Sequence, residues 1–548
     1  MRKIIKLAEK LIKNIEEKDT NFFIWLSAFT AIILMRMFVE NMTAHLNGDT
    51  EAYSFYGLFS SFLIVYLLFA FILHKILKVE LKKAFNVLLW GYWLIILPPI
   101  FDYILSKGQG LSNFYIFDSL PNLIHRFFFF FGDRPDFGVT YGARIEVAMC
   151  MIFLFVYSFL KTRKFLKSFF VSLLAYILLF VFGTFPSWIT IALRGFSEGF
   201  LKVNNIDVAQ TFLSPFSLFS VEISDPIQAL VVKTSLLYFL ILSAIVIVSL
   251  FFYHREKFLA ILKNSRFPQI IYHCGLLTVG IALGMFHNGK SLLSTFNFFN
   301  ILGFFVLIEA VVFSWLASVL VNDIFDKKID HITNPDRPLI KTLFTLKEYW
   351  TLVFLLFLSV IFLSSIFHPK VTFLFIAYQI IAWVYSADPF RFKRFTYLST
   401  FLSAIASMTI LFSGYILVSP DQSFTLLPNS IIILLVLALT LSLPIKDFKD
   451  IEGDRADGVF TVPVVFGEEW GKIIVGGGIF LSFVSSVILL NESRLFFWAL
   501  LFGSISFWIV NKMKKNPAES KITYKNILWW MIGTVSAYGI ILVKIIFL

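Results

Sequence analysis

Two short acidic segments carry the residues best suited to chemistry in this sequence of 548 residues. In each segment three aspartates are spaced three and then four residues apart, a spacing that places side chains on one face of a helix. The first segment, NDIFDKKID, contains Asn322, Asp323, Asp326 and Asp330, and the second, KDFKDIEGD, contains Lys446, Asp447, Asp450 and Asp454. Because carboxylates stacked on one helix face repel one another, we expect a cation to compensate them.

The cation that fits these carboxylates is a hard divalent metal. Mg²⁺ commonly takes one or two protein carboxylates together with water and substrate phosphates. Two facing acidic ridges at a membrane surface therefore predict a site that holds a lipid diphosphate through metal ions. The alternative is that each segment is a solvated loop whose acids pair with adjacent lysines and arginines, and the matched spacing of the two segments favours the site.

Basic residues follow the acids and could neutralise a departing diphosphate. The candidates are Arg337, Lys393, Arg394 and Lys446. A purely topological role stays open for each of them, because the cytoplasmic loops of membrane proteins are basic in any case.

Long apolar runs must position both segments. The chain is 58% hydrophobic and 15% charged, which excludes a water-soluble fold. Because these apolar runs are long enough to cross a bilayer, they predict an all-α, polytopic bundle of transmembrane helices. About six spans are expected before residue 265 and about nine after it. The predicted spans lie near 21–39, 55–78, 86–106, 143–161, 165–192, 229–253, 269–288, 294–322, 348–367, 370–387, 396–418, 428–446, 472–490, 494–511 and 525–547.

The distribution of lysine and arginine predicts the orientation of the chain. These residues collect in alternate loops, which places the N-terminus and both acidic segments on the cytoplasmic side of an integral, multi-pass membrane protein. In a prokaryote this would be the cell membrane. The net charge of +12 is explained by these loops lying against membrane lipids, so we do not expect nucleic acid as a partner.

At the two acidic segments the sequence resembles the UbiA superfamily of intramembrane prenyltransferases. The first segment matches the pattern NDxxDxxxD and continues with NPDRPL, and the second matches KDxxDxxGD with TVPVVFG downstream. Between them, YSADPFRFKR resembles the connecting loop that ends in basic residues. The resemblance covers residues 265–548, so we divide the chain into a region 1–264 of unknown function and a UbiA-like domain 265–548.

The resemblance implies nine transmembrane helices around a central cavity and Mg²⁺-dependent transfer of a prenyl group from a polyprenyl diphosphate to a hydrophobic acceptor. It implies metal binding by Asn322, Asp326, Asp330, Asp447, Asp450 and Asp454, catalytic roles for Asp323, Asp326, Asp447 and Asp450, and diphosphate binding by Arg337, Lys393, Arg394 and Lys446. The motifs are closest to members that act on glyceryl ether lipids and on homogentisate or chlorophyllide, and the sequence does not separate these acceptors.

The alternative function is a cation-dependent transporter or a non-catalytic lipid-binding scaffold, which the six additional spans favour. Transport would predict acidic or polar residues deep within the spans. The acids of this chain instead cluster at the ends of spans, so we favour the prenyltransferase.

Overall fold

The computed structural model describes residues 2–44, 51–111, 113–133, 139–289, 295–419 and 421–547. Within these residues the regular secondary structure is helical apart from one small two-stranded sheet and an isolated bridge between Lys514 and Thr523, which confirms the predicted all-α class. The chain forms two compact units. The first unit is Met1–Ser217 with Glu222–Val246, and the second is Leu218–Val221 with Ile247–Leu548. The predicted domain boundary between residues 264 and 265 stays a prediction.

The helices and strands up to residue 253 follow in chain order. They are α1 (Arg2–Glu16), α2 (Phe22–Ala44), α3 (Glu51–Leu77), α4 (Leu81–Gly91), α5 (Leu97–Leu105), α6 (Leu120–Phe128), α7 (Tyr141–Thr162), α8 (Phe165–Gly183), α9 (Phe185–Arg194), α10 (Asn205–Phe212), β1 (Phe216–Leu218), β2 (Val221–Ile223) and α11 (Pro226–Tyr253). A 3₁₀ segment, Tyr92–Ile96, joins α4 to α5. The predicted span 165–192 is divided in the structure, because Pro186 occupies the first turn of a new helix.

The remaining helices belong to the second unit. They are α12 (Arg255–Asn264), α13 (Phe267–His287), α14 (Phe298–Phe325), α15 (Lys327–Thr333), α16 (Leu346–Ser364), α17 (Pro369–Ser386), α18 (Leu398–Val418), α19 (Asn429–Ser442), α20 (Ile451–Ala456), α21 (Val462–Phe466), α22 (Glu468–Leu489), α23 (Phe496–Lys512) and α24 (Ile527–Phe547). Short 3₁₀ helices form at Phe392–Arg394, Leu443–Lys449 and Ser493–Leu495.

Fourteen helical segments in the described residues are long and apolar enough to cross a membrane, six before residue 254 and eight after it. The protein is therefore an integral, multi-pass membrane protein. The predicted span near 370–387 is present as α17, but Lys370 and Gln379 lower its hydropathy and it is not among the fourteen. The orientation of the termini stays a prediction.

The second unit contains two helices that pack without intervening side chains. A Cβ atom placed on Gly280 of α13 would collide with the carbonyl oxygen of Leu411 on α18, and one on Gly414 of α18 would collide with that of Leu277 on α13. Glycine at these two positions lets the backbones approach closely, as small residues commonly do between membrane helices. The contact fixes α13 against α18 in the bundle that carries the acidic segments.

Candidate active site

The first acidic segment spans the end of α14 and the short helix α15. Asn322 and Asp323 lie in the last turn of α14, Asp326 separates the two helices, and Asp330 lies in α15. Asp326 has φ −94° and ψ 15°, a conformation outside the α-helical region that redirects the chain. The expected continuous helix face is thus wrong in detail, because a bend replaces it at the middle aspartate.

The second acidic segment bends at the equivalent aspartate. Lys446 and Asp447 lie in the 3₁₀ helix that follows α19, Asp450 separates it from α20, and Asp454 lies in α20. The backbone of Asp450 has φ −111° and ψ 10°, close to that of Asp326. The two segments therefore share a local structure as well as a spacing, with the middle acid at a helix junction in both.

A single asparagine joins the two acidic segments. Asn334 Nδ2 donates to Asp330 Oδ1 at 3.1 Å and to Asp450 Oδ1 at 3.0 Å. One carboxylate of each segment is thus held around the same nitrogen atom. The predicted convergence of the two segments is present at this pair.

Gly453 permits this convergence. A Cβ atom at this position would lie 2.7 Å from Ile329 Cγ2, 2.9 Å from Thr333 Cγ2 and 3.1 Å from the carbonyl oxygen of Ile329. Because distances this short displace their neighbours, only glycine lets α20 pack against α15 in the observed way. The glycine of the second segment therefore has a packing role.

Asp323 is enclosed by donors. Its side chain is fully buried, and it accepts hydrogen bonds from Asn264 Nδ2 at 2.6 Å and from Tyr349 Oη at 3.3 Å. Two guanidinium groups complete the surroundings, Arg337 Nη1 at 3.2 Å and Arg266 Nη2 at 3.4 Å. Both carboxylate oxygens of Asp323 therefore accept from these donors, and the side chain holds the donor groups around it in position.

Asp326 is neutralised by cations from the loop after α17. Lys393 Nζ forms a close ion pair with Asp326 Oδ1, and Arg391 Nη2 lies 3.4 Å from the same oxygen. The other oxygen accepts a hydrogen bond from Asn322 Nδ2 at 2.6 Å. Arg391 also pairs with Asp457 at 2.5 Å, so it links the first acidic segment to an acid three residues beyond the end of the second.

The other predicted basic residues differ in their surroundings. Arg337 Nε lies 3.6 Å from Asp330 Oδ1, which places this guanidinium between two acids of the first segment. Lys446 Nζ donates to Tyr385 Oη at 3.2 Å and lies over the same ring at 5.1 Å. The structure shows no ion pair from the Arg394 guanidinium to the acidic segments within the described residues.

Burial changes the pKa of several of these groups. Burial raises the pKa of Asp330 to about 6, against the lowering effect of Arg337. The pKa of Asp454 is raised to about 8 by burial and then by the negative charges of Asp447 and Asp450. Burial also lowers the pKa of Lys393 to about 8. Both segments therefore hold acids that burial and like charge make costly to ionise, and a cation would relieve that cost.

The donor set fits Mg²⁺ in its chemistry. No group of three or more His, Cys, Asp or Glu side chains is close enough to hold a metal ion by itself in the described part of the chain. Mg²⁺ does not require such a cage, because water and substrate phosphates supply most of its ligands. The carboxylates of Asp330 and Asp450, brought together at Asn334, are ligands of the right kind.

Sequence reasoning missed several residues of the site. Asn264 and Arg266 precede α13, Asn334 follows α15, and Arg391 lies in the connecting loop. The guanidinium Nε atoms of Arg266 and Arg391 are buried and have no hydrogen-bond partner among the described residues. An asparagine in NPDRPL and an arginine in FRFKR were visible in the sequence, whereas nothing in the pattern pointed to Asn264 or Arg266.

Comparison with known families and proteins agrees with the resemblance in the C-terminal half. Residues 275–532 match the profile of the UbiA prenyltransferase family. Chlorophyll synthase of Arabidopsis thaliana is 28% identical over 37% of this chain and 55% of its own length. Digeranylgeranylglyceryl phosphate synthase of Methanococcus aeolicus is 27% identical over 42% of this chain and 81% of its own length.

Another relative is 2-acyl-4-prenylphloroglucinol 6-prenyltransferase of Humulus lupulus, which is 28% identical over 44% of this chain and 64% of its own length. The chain thus spans somewhat less than two thirds of this relative and of the Arabidopsis enzyme. A solved structure of a UbiA homologue from Archaeoglobus fulgidus, bound to DMAPP and Mg²⁺, is similar with a TM-score of 0.38 and 17% identity, over 52% of this chain and 100% of that chain. The family match over residues 275–532 confirms the predicted resemblance of the C-terminal half.

Proposed function

Because residues 275–532 match the UbiA prenyltransferase family, we propose that this chain is an integral-membrane prenyltransferase. Its reaction would transfer a prenyl group from a polyprenyl diphosphate to a lipid or aromatic acceptor, assisted by Mg²⁺. The observation that carries the proposal is the pairing of Asp330 and Asp450 at Asn334, since it brings one carboxylate of each acidic segment to one place.

Asp330 and Asp450 are the best-supported metal ligands, and Asn322, Asp326, Asp447 and Asp454 remain candidates around them. When bound there, Mg²⁺ would neutralise charge on the diphosphate as it leaves. Asn334 would keep the two carboxylates together despite their repulsion, since it donates to both of them.

The basic groups of the site would hold the diphosphate. Arg266 and Arg391 each have a buried Nε–H group without a partner in the described residues, and phosphate oxygens are strong acceptors for such donors. Arg337 and Lys393 already lie against the acids and would add positive charge next to the leaving group. Roles for Lys446 and Arg394 in the same binding stay proposals.

The prenyl chain would lie among the apolar helices that carry the acidic segments. Breaking the bond between the first carbon of the prenyl chain and the diphosphate leaves positive charge on an allylic carbon. The acceptor forms the new bond to that carbon with its own electron pair, and the proton that it loses passes to the released diphosphate. An apolar cavity excludes the water that would otherwise take the acceptor's place. Asp323, enclosed by four donors, would position Asn264, Arg266 and Arg337 and would not react itself.

The proposal is tested on the purified full-length protein with Mg²⁺ and a series of radiolabelled polyprenyl diphosphates. We expect diphosphate release and a prenylated product from lipid or aromatic acceptors, both abolished in the double variant Asp326→Ala with Asp450→Ala. Cation flux into proteoliposomes without any covalent product would instead support the transporter.

A further inference from the structure

An apolar groove lies in the first unit, between side chains of α2, α4, α5, α7 and the 3₁₀ segment that joins α4 to α5. Its volume is about 550 Å³, which is within the range of about 300–1,000 Å³ that is typical of ligand pockets. Met35, Trp90 and Trp93 line the groove and have exposed fractions of 45%, 51% and 55%. Because all three belong to helical segments that can cross a membrane, the open side of the groove faces lipid.

The groove results from the break between α4 and α5. In the 3₁₀ segment Tyr92–Ile96 the carbonyl oxygen of Ile95 accepts a hydrogen bond from Arg36 Nη1 of α2 at 2.7 Å, which satisfies a backbone group at the break. Gly91 deepens the recess, since a Cβ atom at this position would lie 3.0 Å from Phe153 Cε1 of α7. The groove is therefore built into the course of the backbone.

Lys18 lies at the end of the groove that is nearest the membrane surface. It precedes α2 by a few residues, and its Nζ lies over the ring of Trp90, 4.9 Å from the ring centre. Asn86 lies one turn before Trp90 on the same face of α4, and its Nδ2 donates to the carbonyl oxygen of Lys18 at 2.8 Å. Both the backbone and the side chain of Lys18 are thus positioned at the groove.

The positive charge of Lys18 is available to a ligand. Lys18 forms no ion pair with a carboxylate of the described residues, and Arg36 is 3% exposed and already pairs with Glu40 at 3.2 Å. The acids next to Lys18 in the sequence also have partners, Glu16 with Lys161 at 2.6 Å, Glu17 with Lys13 at 3.8 Å and Asp19 with Lys82 at 2.7 Å. An anionic group at this end of the groove would therefore meet an unneutralised ammonium group.

We propose that the groove binds an acyl chain of an anionic glycerophospholipid from the surrounding bilayer, with the phosphate of its headgroup at Lys18. The apolar wall contacts the chain and Lys18 contacts the charge, while Trp90 lies between the two, as tryptophan commonly does at a membrane interface. A zwitterionic headgroup fits less well, because it brings its own cation next to Lys18. The site lies outside the family match at 275–532 and does not depend on the proposed function.

The test uses the full-length protein in phosphatidylcholine vesicles and two photoreactive lipids. The lipids are phosphatidylglycerol and phosphatidylcholine, each with a diazirine in one acyl chain, and mass spectrometry of peptides locates the label after illumination. We expect residues 90–97 to be labelled about fivefold more strongly by phosphatidylglycerol, the preference expected from one lysine next to an anionic headgroup.

Two pairs of variants separate the headgroup contact from the chain contact. Lys18→Gln should reduce the preference for phosphatidylglycerol to within about twofold, whereas Lys164→Gln, at an exposed lysine between α7 and α8, should keep it. Met35→Trp fills the groove and should reduce labelling by both lipids about fivefold. Leu34→Trp is its matched control, because Leu34 is 51% exposed but does not line the groove. Thermal unfolding should show all four variants folded.

Equal labelling of the groove by the two lipids in the unaltered protein would overturn the inference, and so would an undiminished preference in Lys18→Gln. Stronger labelling of residues 90–97 by a photoreactive polyprenyl diphosphate than by phosphatidylglycerol would assign the groove to that molecule and likewise overturn it. Selective labelling by phosphatidylglycerol in a protein that forms no prenylated product would support the inference and contradict the proposed function.

Discussion

Asp330 and Asp450, one from each acidic segment, accept hydrogen bonds from the same atom, Nδ2 of Asn334, at 3.1 and 3.0 Å. Two carboxylates held this closely repel each other. The neutral amide, Arg337 Nε at 3.6 Å from Asp330 Oδ1 and Lys449 Nζ at 3.8 Å from Asp450 Oδ2 offset only part of that repulsion. The arrangement is costly for stability and suited to binding a cation.

Removing either charge of this pair should abolish turnover. Asp330→Asn and Asp450→Asn each keep the side-chain size and delete one anionic ligand, so we expect at least a ~100-fold loss of product formation with Mg²⁺ and a labelled polyprenyl diphosphate. The control is Glu452→Gln, an exposed acid in α20 that pairs with Lys515. Full activity in either aspartate variant would contradict the site.

Asn334 should determine how much Mg²⁺ the enzyme needs for activity. Asn334→Ala removes the amide that holds both carboxylates, so we expect the Mg²⁺ concentration for half-maximal activity to rise about tenfold, as for other residues that orient metal ligands. Chelation should stop the unaltered enzyme, and Mg²⁺ should restore it. If the variant required no more Mg²⁺ than the unaltered enzyme, Asn334 would not organise the pair.

Spacing and hydropathy were sufficient to predict the helical membrane fold and the two acidic segments. They could not predict the bends at Asp326 and Asp450, because a three-then-four spacing is equally compatible with one continuous helix. The structure shows that the segments meet at Asp330 and Asp450, and this depends on Asn334 and on the close packing at Gly453.

The site residues that could not be predicted from the sequence are those that reach the acidic segments through tertiary contacts. Asn264 and Arg266 precede the matched family region and belong to no recognisable pattern, yet both contact Asp323. The ion pairs of Arg391 with Asp326 and Asp457 likewise depend on how the loop after α17 folds. Long-range pairings of this kind leave no periodic signal in a single sequence.

Gly453 should not tolerate a side chain. Gly453→Ala places a methyl group 2.7 Å from Ile329 Cγ2, so α20 must move away from α15 and Asp450 must move away from Asp330. We expect activity to fall about tenfold or more, at a stability cost of about 1–3 kcal/mol for overpacking, measured by thermal unfolding in detergent. Gly477→Ala is the matched control in helix α22, where a Cβ atom meets nothing within 4 Å, and equal losses in both variants would refute the packing argument.

Asp323 should matter for structure as much as for activity. Asp323→Asn leaves Arg266 and Arg337 with one fewer buried counter-charge, and breaking a buried ion pair in this way costs about 3–5 kcal/mol. We therefore expect a clear fall in unfolding temperature together with lost activity. Asp336→Asn, at an exposed acid paired with Lys341, should change neither quantity. Retained stability with lost activity would indicate instead that Asp323 acts directly on substrate.

Asn264 extends the site beyond the residues that match the family. Its Nδ2 donates to Asp323 Oδ2 at 2.6 Å and its Oδ1 accepts from Arg337 Nη1, so it links an acid of the first segment to a proposed diphosphate ligand. Asn264→Ala removes both bonds, and we expect the KM for the polyprenyl diphosphate to rise about tenfold because Arg337 loses its orientation. Lys263→Ala, at the exposed preceding residue, is the control and should be neutral. If Asn264→Ala left the diphosphate KM unchanged, the segment before α13 would be a connection between helices and not part of the binding site.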